Sequence, residues 1–166
     1  MCAYPSDFTQ AGGMPSLTQL MVFSINVEGV EPGAYGYDRE QHCLWTIQRG
    51  DMSVFLQDHY GLTNYNMAAT GAVLIIMGSP NGMLDTFGNR GYRALNVEVG
   101  LVAQSQYLTA TALSIGCGAI FGFDHSALTS VFGLDGSDLR AQLAVVTGHE
   151  GQYRASFDYR LVSRES

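Results

Sequence analysis

Apolar positions along this chain fall into short β-like runs and one long helical run. Leu17 to Val27 (LTQLMVFSINV) and Ala72 to Met77 (AVLIIM) are uncharged and rich in β-formers, so both read as buried strands. Ser79-Pro80-Asn81-Gly82 breaks the second run. Ala34 to Tyr37 and His42 to Gln48 flank Asp38-Arg39-Glu40, with Leu44 and Thr46 alternating against Trp45 and Ile47, the pattern of a hairpin. Asp51 suits an N-cap for an amphipathic helix to Tyr60 that turns Met52, Phe55 and Leu56 inward and stops at Gly61. Further on, Ala119 to Phe123 reads as a short strand, Asp124 as the cap of a helix to Phe132, and Leu139 to Thr147 as another strand. Strands and helices in this order predict an α+β fold, a mixed sheet flanked by helices.

The long run occupies Tyr92 to Ile115. As a helix it is ~36 Å long at 1.5 Å per residue. From Ala94 to Ile115 its only formal charge is Glu98, and Leu95, Val97, Val99, Leu101, Val102, Leu108, Leu113 and Ile115 surround its axis. A helix apolar all round is a buried helix, and in so short a chain a second subunit is the simplest cover, which places this central helix at a subunit interface. Glu98, if buried, has to be paired or neutral, with an arginine as the natural mate. The run is long enough to cross a bilayer, but Asn96, Glu98, Gln104 and Gln106 favour burial in protein, so no membrane is expected.

Two clusters bound this helix. Arg90, Tyr92 and Arg93 stand at its N-terminus, where the helix dipole disfavours cations. Either they face an anionic partner or they form a solvated basic start, and Arg90 and Tyr92 are the two catalytic candidates. At the other end, a C-terminal glycine in left-handed conformation followed by a strand accounts for Gly116. It does not require Gly118 and Gly122, whose smallness also suits the close approach of a flat ring to backbone N–H groups.

Hydrophobic residues make up 46% and charged residues 14% of the 166, which fits one domain over 1–166 with a large core and a quiet surface. The formal net charge of −7 argues against nucleic acid as a partner. All eight Lys+Arg residues are arginine, so any phosphate must be met by arginine, backbone or another chain. Cys2, Cys43 and Cys117 form no CxxC pair, which predicts free thiols in a reducing compartment and no metal knuckle. No basic n-region precedes an apolar stretch, so a cytoplasmic location is expected. His42, His59, His125 and His149 sit in unrelated segments and read as surface residues or local hydrogen bonders, and neither a G-x-S-x-G elbow nor a G-x-G-x-x-G fingerprint occurs.

Several segments together resemble the flavin-dependent nitroreductase superfamily, and within it the SagB-type dehydrogenases that oxidise azoline rings in peptide natural products. They are Gly88-Asn89-Arg90-Gly91-Tyr92-Arg93, Glu98 with Gln104-Ser105, and Gly122-Phe123-Asp124, with Val27 to Asp38 (VEGVEPGAYGYD) and the loops Tyr4-Pro5-Ser6 and Ala11-Gly12-Gly13 upstream. The resemblance implies a nitroreductase-like fold and FMN as cofactor. Pro5, Ser6, Gly12 and Gly13 would lie near the ribityl chain or ring, Phe121 or Gly122 would offer a backbone N–H to the ring edge, and Arg160 and Arg164 would reach the phosphate. It also implies a tail that, from Tyr153, pairs with a partner subunit.

Two departures qualify that resemblance. Thr86-Phe87 stands where the SagB branch carries a Lys-Tyr pair, and neither side chain is a base near neutral pH. The arginine-rich segment that clamps the flavin phosphate in the family has no counterpart. The expectation is therefore a partial subunit of an FMN-dependent oxidoreductase acting on a peptide or small heterocyclic natural-product intermediate. A second nitroreductase-like chain or a homodimer mate would complete it. The alternative is a scaffold subunit that has lost flavin and base.

Overall fold

The computed structural model describes residues 17–149. Six strands, β1 (Thr18–Ser24), β2 (Gly33–Asp38), β3 (Cys43–Arg49), β4 (Ala72–Gly78), β5 (Gly116–Ile120) and β6 (Arg140–Gly148), form one sheet in the order β3-β2-β1-β4-β6-β5. Four α-helices among the described residues cover it: α1 (Ser53–Asp58), α2 (Pro80–Phe87), α3 (Gly91–Ala112) and α4 (His125–Val131). The result is an α+β fold with helices on both faces of the sheet.

Where a mixed sheet is expected, every pairing among the described strands is antiparallel. The α2–α3 crossover does return the chain parallel to β4, but β6 slots between β4 and β5 and is antiparallel to both. This late insertion of β6 is invisible to local pattern.

β4 lies near the middle of the sheet, and Val73 through Met77 are buried on alternating faces. Val73, Ile75 and Met77 join Met21, Phe23, Leu56, Leu128 and Phe132 in the core beneath α1 and α4. Leu74 and Ile76 join Leu20, Val22, Met83, Leu95 and Val99 beneath α2 and α3. A strand buried on both faces reads as an unbroken apolar run, which is why AVLIIM announces itself. β3 is an exposed edge, and its Trp45 lies across the backbone of its cross-strand partner Gly36 where a Cβ would collide with the indole.

The long helix runs over 22 residues, ~33 Å. Within the chain it buries one face, Leu95, Glu98, Val99, Ala103, Gln106 and Ala110, and Glu98 is fully enclosed. Leu108, 63% exposed, marks the opposite side with Val97 and Leu101. One sheet can cover only one side of a cylinder, so the all-round burial suggested by composition is met halfway by this chain.

Two local readings change. The left-handed residue after α3 is Ser114, with φ 56°, and Gly116, Cys117 and Gly118 belong to β5 rather than to a turn. Ser79-Pro80 ends β4 but also opens α2, with Pro80 in the first helical turn, where a missing N–H costs nothing. Asp51 holds the entry to α1 by accepting from the Ser53 N–H at 2.8 Å and hydroxyl at 2.9 Å, though the helix ends at Asp58.

Candidate functional site

The exit of β5 is fastened to the chain that follows α1. After Ile120, which pairs with Ala144, the strand leaves the ladder. Phe123 forms an isolated bridge with Tyr60, the Gly61 N–H donates to the Gly122 carbonyl at 2.7 Å, and the Asp124 N–H donates to the His59 carbonyl at 2.9 Å. The Phe123 N–H also donates to the Phe121 carbonyl at 2.8 Å, a three-residue turn centred on Gly122. This turn throws the Phe121 side chain outward, leaving it 68% exposed. Phe121 and Gly122, the two described members of the expected flavin contact set, are thus held on a fixed backbone at the surface.

Beside them lies a hollow of about 430 Å³ lined by Asp58, His59, Gly61, Leu62, Phe123 and Asp124. Asp124 caps α4 as its sequence position predicts, accepting from the Ser126 and Ala127 N–H groups at 2.9 and 3.0 Å. The Ala127 bond, with further help from Ser126, His59 and His125, holds its carboxyl below the usual range. His59 and His125 each bond a backbone carbonyl through Nδ1, of Phe55 at 2.9 Å and Ala141 at 2.7 Å. A carbonyl only accepts, so Nδ1 carries the proton in both. These are the local roles expected of the histidines, and no group of His, Cys, Asp and Glu that could hold a metal occurs among the described residues.

A second hollow, of about 370 Å³, opens at the start of β5 and includes Asn64, Tyr65, Cys117, Gly118 and Thr147. The Tyr65 hydroxyl occupies the space where a Cβ on Gly118 would stand, and Leu62 closes on Gly122, where a Cβ would come within 3.0 Å of its Cγ. Both glycines therefore already accommodate side chains of their own chain. Burial pushes the Cys117 thiol up. Burial also raises the Tyr60 phenol, with Tyr65 adding to it, although Tyr60 donates to Asn64 Oδ1 at 2.6 Å.

The catalytic candidates are not brought to this place. Arg90 and Tyr92 are exposed at the start of α3, and the α3 tyrosine that reaches β5 is Tyr107, whose hydroxyl accepts the Ala119 N–H at 2.7 Å. Tyr107 lies ~22 Å along the helix from Tyr92. Gly91 has a packing explanation, because α2 crosses so closely that a Cβ would strike the Met83 carbonyl. The Thr86 hydroxyl is spent on the Gly82 carbonyl at 2.8 Å. Tyr107, Tyr65 and Leu62 went unnoticed in sequence because each acts on a segment remote from its own. Pro5, Ser6, Gly12, Gly13, Arg160, Arg164 and the tail from Tyr153 lie outside the described residues.

The sequence of residues 11–149 matches the nitroreductase family. This chain belongs to the nitroreductase family. It is 35% identical over 106 residues to a Methanocaldococcus jannaschii protein named as a nitroreductase, covering 64% of this chain and 53% of that protein. The chain thus spans about half the length of that relative. Among solved structures it is similar to one from Anabaena variabilis described as a nitroreductase (TM-score 0.73, 22% identity, 80% of this chain and 27% of that chain). It is similar also to a chain of the Escherichia coli microcin synthetase McbBCD complex bound to truncated pro-MccB17 (TM-score 0.70, 16% identity, 85% and 55%). A third similar fold is that of a Staphylococcus epidermidis protein described as an NAD(P)H:FMN oxidoreductase (TM-score 0.57, 17% identity, 93% and 78%). These likenesses establish the nitroreductase fold. No described helix is long and apolar enough to cross a membrane.

Tested against these residues, FMN fits in part. The outward turn at Phe121-Gly122 can meet a ring edge. Among the described residues the adjoining hollow carries Asp58 and Asp124 and no arginine, and no arginine lines the hollow at Gly118. Among the described arginines, Arg49 pairs with Glu31, and Arg140 donates to the Ser137 and Leu139 carbonyls. Two carboxylates repel a phosphate, so the hollow beside Phe121-Gly122 suits the ring and not the phosphate.

Proposed function

We propose that this chain is a subunit of an FMN-dependent oxidoreductase. It presents the β5 exit to the flavin ring edge while the phosphate is held from outside the described residues, by Arg160 and Arg164 or by another chain. The observation that carries the reading is the turn at Gly122, which fixes the Phe121–Gly122 backbone and leaves Phe121 exposed in a chain whose family resemblance puts the ring edge there. FMN, when bound, supplies a two-electron acceptor for a dehydrogenation. The residues of this chain orient the ring edge through the backbone, and Leu62 and Phe123 wall off part of the adjoining space. The accompanying proton requires a base from a partner, because the Thr86 hydroxyl is committed within α2 and Phe87 has none.

The exposed side of α3 supports a second nitroreductase-like chain or a homodimer mate as cover. The order of the SagB-like motifs supports a peptide or small heterocyclic natural-product intermediate as substrate. The complex named for the Escherichia coli neighbour, a synthetase with a bound pro-peptide, agrees with it. A second reading has its own observation: Gly118 and Gly122 are already filled by Tyr65 and Leu62, as in a scaffold that needs no ring.

Purification of the full chain alone, and after co-expression with a second nitroreductase-like chain, decides between them. Flavin absorption only in the co-purified complex is the expected result. Flavin in the isolated chain, with turnover equal to that of the complex, would overturn the partial-subunit reading. A complex that forms and stays colourless would leave the scaffold.

A further inference from the structure

We infer that a pocket between the sheet and the C-terminal half of α3 binds a small, neutral, apolar molecule with a single hydrogen-bonding head. The pocket, about 180 Å³, is walled by Val22, Leu74, Ala110 and Ile115, with Leu44 at a partly exposed mouth. An apolar cavity of roughly 150 Å³ accepts benzene, so this one takes one aromatic ring and a small substituent. Among the described residues no charged one lines it, so a phosphate or carboxylate would enter without a counter-ion from them.

The head is specified by Ser24. It shares the α3-facing side of β1 with Leu20 and Val22, is 1% exposed, and lines the pocket, yet its hydroxyl has no hydrogen-bond partner among the described residues. Buried hydroxyls are ordinarily satisfied, and one left unmade loses free energy that a ligand oxygen would restore. Thr147 in the same wall shows the contrast, since its hydroxyl donates to the Ala72 carbonyl at 3.1 Å. Gln106, buried beside the pocket, makes a contact of 3.4 Å from Nε2 to Ser105 Oγ, which leaves its amide able to share the ligand head. The pocket sits at the Ile115 end of β5, ~20 Å of extended chain from Phe121, so the inference does not depend on the flavin reading.

Titration of the full-length chain with benzene and with phenol, read on the methyl NMR signals of Val22, Leu74 and Ile115, tests it. Phenol should bind more tightly than benzene, and Ser24→Ala should remove about fivefold of that preference while leaving benzene binding unchanged. Ala110→Leu should fill the pocket and abolish both titrations, and Ala72→Leu from the opposite wall serves if Ala110→Leu does not fold. Methyl signals that fail to shift saturably with either probe would overturn the inference, as would a phenol preference that survives Ser24→Ala.

Discussion

Asp138, in the loop before β6, accepts the backbone N–H of Asn81 at 3.0 Å across 57 residues of sequence. It also accepts the Gly82 N–H at 3.1 Å and the Ser79 hydroxyl, so a carboxylate from a distant loop caps the N-terminus of α2. Burial alone would raise its pKa, but the bonds from Ser79, Gly82 and Asn81 outweigh it and hold the carboxyl below its ordinary 3.8.

Loss of this cap should be felt in stability. Asp138→Ala is expected to cost about 1 kcal/mol near neutral pH. A carboxyl whose pKa is lower folded than unfolded contributes above its unfolded value and ceases to as pH falls through the folded one. The gap between wild type and Asp138→Ala should therefore narrow as pH drops below 3.8. Urea midpoints at several pH values measure it, and a gap independent of pH would refute the role of the charge.

Gly118 and Tyr65 should be energetically coupled. Gly118→Ala displaces the Tyr65 phenol and should destabilise by about 1–3 kcal/mol as an overpacked site, and Tyr65→Ala should relieve most of that penalty. A double-mutant cycle reads the non-additivity directly. If Gly118→Ala leaves stability intact and instead removes flavin from the complex, Gly118 serves the cofactor rather than Tyr65.

The two described cysteines should differ in reactivity. Cys43 is exposed on the edge strand, whereas burial raises the Cys117 thiol and reduces its thiolate fraction. In a Cys2→Ser background, a disulfide reagent at neutral pH should label Cys43 quickly and Cys117 slowly, as followed by peptide mass spectrometry. Equal rates would contradict the partial burial of Cys117.

Tyr107→Phe should loosen the sheet edge. The hydroxyl it removes is the acceptor for the Ala119 N–H, and a typical hydrogen bond contributes about 1 kcal/mol. Hydrogen exchange at Ala119 should accelerate while the β4 amides keep their protection. Unchanged protection at Ala119 would show that another acceptor serves it.

What local sequence carries, it carried clearly. The apolar run of β4, the alternation of β2 and β3, the Asp124 cap and the length of α3 are each written within one stretch of chain. Periodicity and capping are short-range effects, and the structure places these elements within a few residues of their predicted bounds. The motif order that resembles the nitroreductase family was legible for the same reason, since each motif is contiguous.

What sequence left open depends on which segments meet. Pro80 read as a breaker because the carboxylate that caps α2 comes from Asp138. Gly118 and Gly122 read as room for a ring, and only the fold shows that Tyr65 and Leu62, 53 and 60 residues earlier, pack against them. Arg90 and Tyr92 stand out in sequence at a helix N-terminus, and α3 places Tyr92 several turns from Tyr107, whose hydroxyl reaches Ala119 in β5. The insertion of β6 between β4 and β5 made an antiparallel sheet of what looked mixed. Composition showed that α3 is apolar all round, but only packing decides which side the sheet takes, because a flat layer can bury just one side of a helix.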